Sequence, residues 1–452
     1  MPQHRRILVA VLVALSLVYV CRLRAVARSH GSSVWIRRGQ DVDDAVNATL
    51  GFGEILVINL PSRRDRRDAM ALAGSVSNLS LTFVEGVKGD GAAKSPPSSA
   101  SAGARGSWRS HRNALQAIVD GGLGSALVLE DDVDWDVRLK AQMQTFARAS
   151  RTWLGIRRQR QEGPKAGRDV SFESEDGGAR NEGDTVTLSS SSSSSSSSPL
   201  SSTSGRGIVP TAESPYGDDW DVLWLGHCGA DLPTAAAAAA ASTPGGPAIP
   251  PLTIAIVDDA TVPAPKHLSP HPFALRDALA DALPPHTRVV HAAGGNVCSL
   301  AYAVSRRGAR RLLRRSGRDG FVAQWDLMLR DYCVGSSSYE GGGGVEGVDQ
   351  RRGWGGGEEE GEEDKAEQAS LVCLTVQPPL ISHHYAGREE GVDGGGAASV
   401  SNIKGQGGGL ARGKKGTPYV RLSVQENLRR LIDGSSEDGL VDQLPDDGDT
   451  LW

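Results

Sequence analysis

From residue 53 onward, short apolar runs alternate with polar stretches in which apolar residues recur at helical spacing. Gly53 to Leu60 supplies Ile55, Leu56, Val57, Ile58 and Leu60, and reads as a buried strand stopped by Pro61. Arg63 to Leu72 suits a helix, and Thr82-Phe83-Val84 a second short strand closed by Gly86 and Gly89. Trp108 to Val119 carries Leu115, Ile118 and Val119 at helical spacing, ended by Gly121-Gly122. A strand from Ala126 follows, and further strands are expected at Trp220–Gly226, Val289-Val290 and Ser299–Val304. Ser305 is placed to cap a basic helix through Arg315, and Leu371–Ile381 gives a last core segment. Strands alternating with helices predict an α/β fold with a parallel-rich sheet.

The pattern fails in three places. Residues 157–215, with ten serines from Ser189 to Ser198, the Ala/Pro stretch 233–251 and the Gly/Glu-rich stretch 335–369 cannot offset the entropy of ordering. They are expected to be disordered inserts. Residues 387–452 read as a mostly disordered, Gly-rich tail with one helical candidate at Ser423–Ile432. What remains is on the order of 240 residues, the size of one catalytic domain, which is assigned to 51–386.

The N-terminus has a different pattern. His4, Arg5 and Arg6 precede an apolar run from Ile7 to Val20, followed by Arg22 and Arg24. Residues 1–27 are therefore expected to be a cytoplasmic tip and signal anchor, residues 28–50 a polar stem, and the rest lumenal. A cleaved signal, which would make the protein secreted, is the other possibility. Asn47-Ala48-Thr49 and Asn78-Leu79-Ser80 would be glycosylation acceptors there. Beyond Cys21, the cysteines Cys228, Cys298, Cys333 and Cys373 allow two disulfides in three connectivities, or four free thiols. Absence of a CxxC pair argues against a zinc site. The net charge of −5 leaves no basic footprint for nucleic acid.

Candidate chemistry concentrates at Ala126–Asp136, where an apolar strand ends in Glu130, Asp131, Asp132, Asp134 and Asp136. Open α/β sheets bind ligands at the carboxyl ends of their strands. Crowded carboxylates repel unless a cation sits among them, and a hard divalent metal against a phosphorylated substrate is the simplest arrangement. A calcium loop starting at Asp132 is excluded, because Val137 and Met143 occupy the positions that need Gly and Glu. Asp134 and Asp136 read as exposed turn acids.

Eight segments together resemble glycosyltransferase family 25, which includes lipopolysaccharide galactosyltransferases and collagen β-galactosyltransferases. They are Val57–Arg67, Val84–Val87, Gly106–His111, Ala126–Val133, Asp221–Gly226, Tyr302–Leu313, Trp325-Asp326 and Gln377–Ile381. Their order matches the family's. Trp108, Arg109 and Ser107 depart from its usual residues. The resemblance implies a GT-A-like, Rossmann-related fold and inverting transfer of a hexose from a nucleotide sugar, with galactose from UDP-galactose the expected donor. It also implies a glycan or protein hydroxyl as acceptor, and a Golgi or endoplasmic reticulum membrane setting. Asp132, with Glu130, would hold a divalent metal, expected to be Mn²⁺. Asn59, Arg63, Arg66, Glu130 and Asp131 would hold the donor, Asp326 would be the general base, and His111 would touch donor phosphate or acceptor. His383 and His384, past the last core strand, would assist the metal only singly, since neighbours on a strand face opposite ways. A non-catalytic glycan- or partner-binding descendant of the fold is the alternative.

Overall fold

The structure is a computed structural model that describes residues 42–89, 102–162, 185–189, 214–233, 251–269, 276–335, 371–385 and 415–452. The expected signal anchor at 1–27 lies outside the described residues. Among those residues, no helix is long and apolar enough to cross a membrane.

The α/β expectation is borne out. The strands are β1 (Glu54–Asn59), β2 (Leu81–Glu85), β3 (Ser125–Glu130), β4 (Val133–Trp135), β5 (Thr185–Ser189), β6 (Val222–Gly226) and β7 (Thr253–Val257). They continue with β8 (Arg288–Ala292), β9 (Ala301–Ser305), β10 (Cys373–Gln377) and β11 (Ile381–His383). The longer helices are α1 (Arg64–Val76), α2 (Ala102–Asp120), α3 (Leu139–Glu162), α4 (Arg306–Asp319), α5 (Trp325–Val334) and α6 (Val424–Ile432). Nine strands form one sheet in the order β2-β1-β3-β9-β6-β10-β8-β7-β5, and only β9 and β8 run against the others. β4 and β11 pair separately.

Alternation along the strands fills both faces. Ile55, Val57, Leu127 and Leu129 pack with Met70 and Ala73 of α1 and with Met143 and Phe146 of α3. Leu56, Ala126 and Val128 pack with Leu115 and Ile118 of α2, Leu312 of α4 and Met328 of α5. The result is a sheet between two helical layers, with β1 and β3 at the centre of both cores. Ser305 caps α4 as expected, its hydroxyl accepting from the Gly308 amide. The four cysteines beyond Cys21 pair as Cys228–Cys298 and Cys333–Cys373.

Several boundaries differ from the sequence reading. Part of the expected stem belongs to the core: Val42–Val46 is a 3-10 turn, and Ala45 and Leu50 are fully buried. The 157–215 region holds the end of α3 and an edge strand, β5, that pairs with β7. The largest correction concerns the tail. Residues 415–452 carry α6 with its Ser423 cap, and Tyr419, Val420, Val424 and Leu444 are buried. This segment packs over β4, where its polar groups satisfy Asp134 of that strand and Asp136 just past it.

Candidate functional site

The parallel strands β1 and β3 end side by side, with Ile58 opposite Glu130, so that Asn59 and the acids after β3 meet at the carboxyl edge of the sheet. The Asn59 side chain donates to Asp131 Oδ2 at 2.8 Å and to the Arg63 carbonyl at 3.0 Å. Arg66, one turn into α1, donates from Nη1 to both Asp131 Oδ1 and Asp132 Oδ2, each at 2.8 Å. Nearly buried, this guanidinium is the cation that the crowded carboxylates require. Arg63, expected beside it, pairs instead with Asp65 at 2.6 Å.

β11 supplies a second partner. It pairs antiparallel with β4, His383 opposite Val133, and places His383 Nε2 3.4 Å from Asp132 Oδ2. The close approach depends on Gly226: a Cβ there would lie 2.8 Å from the Ile381 carbonyl and from Ala301 Cβ. Burial opposes the charge of Asp132, but His383 and Arg66 overcome it and hold its carboxyl well below the usual range. Burial likewise opposes a charged His383, yet the adjacent Asp132 raises its pKa. Asp131 moves the other way, raised by burial and by the Asp132 charge beyond what Arg66 and Asn59 offset.

The other expected acids separate into distinct roles. Glu130 Oε1 accepts from Ser299 Oγ at 2.8 Å and lies 3.7 Å from His111 Nε2. His111 is held by Tyr302, whose hydroxyl is 3.0 Å from Nδ1, and stacks on Trp325 at 5.6 Å between centroids. Asp326, at the start of α5, accepts the Cys298 amide on Oδ2 at 2.8 Å. The loop carrying Cys298 and Ser299 therefore links Asp326 to Glu130, and the Cys228–Cys298 disulfide ties it to the end of β6. Asp134 and Asp136 are not exposed. Asp134 is fully buried, with Thr417 Oγ1 at 2.7 Å, the Ser423 hydroxyl, and the Trp135 and Gln425 amides as donors. Asp136 holds Arg138 and the Leu422 amide. Of the paired histidines, His383 faces Asp132, whereas His384 turns to Thr417 at 2.9 Å and to Asp134 at 3.8 Å.

Glu130, Asp131, Asp132, Arg66 and His111 line one side of an open cleft. Gly86, Val87 and Lys88 after β2, with Gly103 and Ser107 of α2, form the other. Ser110 ties the two parts of this second wall together, accepting from the Val87 amide and donating to the Gly106 carbonyl. Three contributors escaped the sequence reading or were left open by it: Lys88, Ser299 and the choice of His383 over His384. Lys88 follows the Val84–Val87 segment and was visible as a lone cation. Ser299 carried no signal.

Among the described residues, no group of three or more acidic, histidine or cysteine side chains is gathered as a metal site. Asp132 Oδ1 and His383 Nδ1 are nevertheless buried without hydrogen-bond partners. A carboxylate oxygen left open beside an imidazole fits a hard divalent ion that takes its remaining ligands from substrate phosphate and water. Glu130, expected as the second ligand, is directed to Ser299 and His111.

No protein-family profile matches the sequence. Among curated proteins, the chain is similar to procollagen galactosyltransferase 1 of Danio rerio, 32% identical over 114 residues. That stretch covers 22% of this chain and 19% of the relative, so the chain aligns with about a fifth of the relative's length. The likeness is to a glycosyltransferase at the general level.

Proposed function

We propose that the protein is an inverting glycosyltransferase with a GT-A-like core, transferring a hexose, galactose from UDP-galactose, to a hydroxyl of a glycan or protein. The observation that carries this reading is Asp132: a largely buried carboxylate with one oxygen lacking a hydrogen-bond partner, at a strand's carboxyl end, flanked by Arg66 and His383 and lining a cleft. The partial likeness to a galactosyltransferase supports the same chemistry.

In this reading Asp132 and His383 would hold Mn²⁺, which would supply Lewis-acid stabilisation of the departing diphosphate. Arg66 fixes Asp131 and Asp132 and keeps positive charge at the cleft, which Lys88 also lines. Glycine at 86 and 89 lets this wall of the cleft close up on its neighbours, since a Cβ at 86 would lie 3.2 Å from the Asn59 main chain and one at 89 would clash with the Ala102 carbonyl. His111, fixed by Tyr302 and Trp325, orients Glu130 towards the reacting sugar. Asp326 takes the proton from the attacking hydroxyl; the Cys298 amide fixes one of its oxygens and leaves the other to act. An N-terminal signal anchor would place this domain in the lumen of the Golgi or endoplasmic reticulum.

Purified protein incubated with UDP-galactose or UDP-glucose, with Mn²⁺ or EDTA, should release UDP from one donor only when metal is present. Calorimetry should show metal-dependent donor binding that Asp132→Asn abolishes. Asp326→Asn should keep binding and lower turnover by about 10²–10⁴-fold, the range for loss of a general base. No donor binding at all would sink the enzymatic reading, and full turnover in Asp326→Asn would move the base elsewhere.

A further inference from the structure

The residues just past β11 place an aromatic pair beside His383, which contacts Asp132, and outside the residues that line the cleft. Tyr385 follows His383 by two positions and shares its face, with ring centroids 4.4 Å apart. Trp452 meets the Tyr385 ring edge-on at 5.5 Å, the planes 83° apart. Both rings are partly exposed. Asp132 belongs to both surroundings: it lines the cleft and it contacts His383, whereas neither Tyr385 nor Trp452 lines the cleft.

The pair is held firmly. Tyr385 exchanges two main-chain hydrogen bonds with Gly416, at 3.0 and 2.9 Å. Gly416 has φ +129°, and a Cβ there would come within 2.8 Å of both Leu451 and Gln443, so residue 416 is pressed against the neighbour of Trp452. Gln443 in turn accepts from the Thr417 amide and donates to the Thr417 and Val420 carbonyls. Thr417 and Ser423 are fastened to buried Asp134. Two half-exposed aromatic rings on such a scaffold, next to a polar centre, match the apolar body and polar tip with which proteins grip ligands that are themselves amphipathic. A pyranose is such a ligand: its C–H face packs on a ring and its hydroxyls point outward to groups such as His383.

We propose that Tyr385 and Trp452 form a stacking platform for the sugar ring of a carbohydrate acceptor, next to the Asp132–His383 contact and outside the donor cleft. The choice of acceptor over donor rests on the glycosyltransferase reading above. The existence of a sugar platform rests on the aromatic pair and can be tested separately.

Saturation-transfer NMR on the full chain, with methyl β-galactoside and methyl β-glucoside as probes, reads the platform directly. At least one glycoside should receive saturation. Trp452→Ala should weaken its binding about three- to tenfold, the range for losing one aromatic contact, while Trp452→Phe should retain most of it. A cooperative thermal transition in each variant establishes that it is folded, and Tyr385→Ala provides a second probe of the same surface. Binding of neither glycoside by the native protein would overturn the proposal, as would native-like binding in folded Trp452→Ala and Tyr385→Ala. Trp452-dependent glycoside binding in a protein that neither binds nor hydrolyses a UDP-sugar would uphold the platform and refute the enzymatic reading alone.

Discussion

Individual side chains in this protein are set by what surrounds their charge. His227, directly after β6, is fully buried; its Nε2 donates to the Val376 carbonyl at 2.8 Å and its Nδ1 has no partner. Burial, aided slightly by His291, brings its pKa down to about 4. The unfolded chain therefore takes up this proton first, near the ordinary histidine value of about 6.5. The sign follows: this group costs nothing above about pH 6.5, erodes stability as pH falls below that, and levels off below about 4. Denaturant titrations at pH 7.5 and 4.5 should show a loss roughly 2–3 kcal/mol larger for the native protein than for His227→Gln, whose amide still reaches Val376. Equal losses would mean that His227 is already protonated when folded. The sequence could not single out this residue, because a histidine's burial is decided by strands that arrive later in the chain. Asp132 was legible for the opposite reason. It ends an apolar strand, and any parallel sheet would bring that end to a binding edge.

At the scale of elements, the strands and helices with their own hydrophobic period were readable, and those dependent on distant partners were not. β1, β3, β6, β9, α1 and the Ser305-capped α4 appear close to where their patterns put them. β4 was missed because its three residues carry an acid, and that acid looks exposed in sequence. Its partners, Thr417 and Ser423, lie 283 and 289 residues away. The same separation explains the misjudged tail: the segment buries Tyr419, Val420, Val424 and Leu444 only once its hydroxyls and amides reach carboxylates buried far away in the body. Asp134→Ala should therefore act on the 415–452 segment first. It strips the acceptor from two hydroxyls and the Gln425 amide, a loss of about 3 kcal/mol or more at 1–3 kcal/mol per stranded group. Hydrogen exchange should show the amides of Thr417–Ile432 losing protection while those of β1 and β3 keep theirs. Unchanged protection across 417–432 would show that the segment is held by its apolar contacts alone.

For the whole molecule, the question is how one domain tolerates long stretches of biased composition. The 335–369 stretch leaves after α5 and returns before β10, and the Cys333–Cys373 disulfide spans its two ends with Cα atoms 5.6 Å apart. The disulfide thus holds the two flanks of this stretch together, whatever lies between them. Replacing residues 337–368 by Gly-Ser-Gly-Ser should leave the cooperative unfolding transition and both disulfides in place. It should also change what the disulfide contributes. A cross-link closing a separation of 40 residues removes unfolded-chain entropy worth about 4 kcal/mol, whereas one closing about 12 removes about 3 kcal/mol. The double change Cys333→Ser and Cys373→Ser should thus cost roughly 1 kcal/mol less in the shortened chain than in the full one, measured by urea unfolding under two-state conditions. If the shortened chain failed to fold, or lost its cooperative transition, the stretch would be a working part of the domain rather than an insert, and the expectation drawn from its Gly/Glu composition would fall with it.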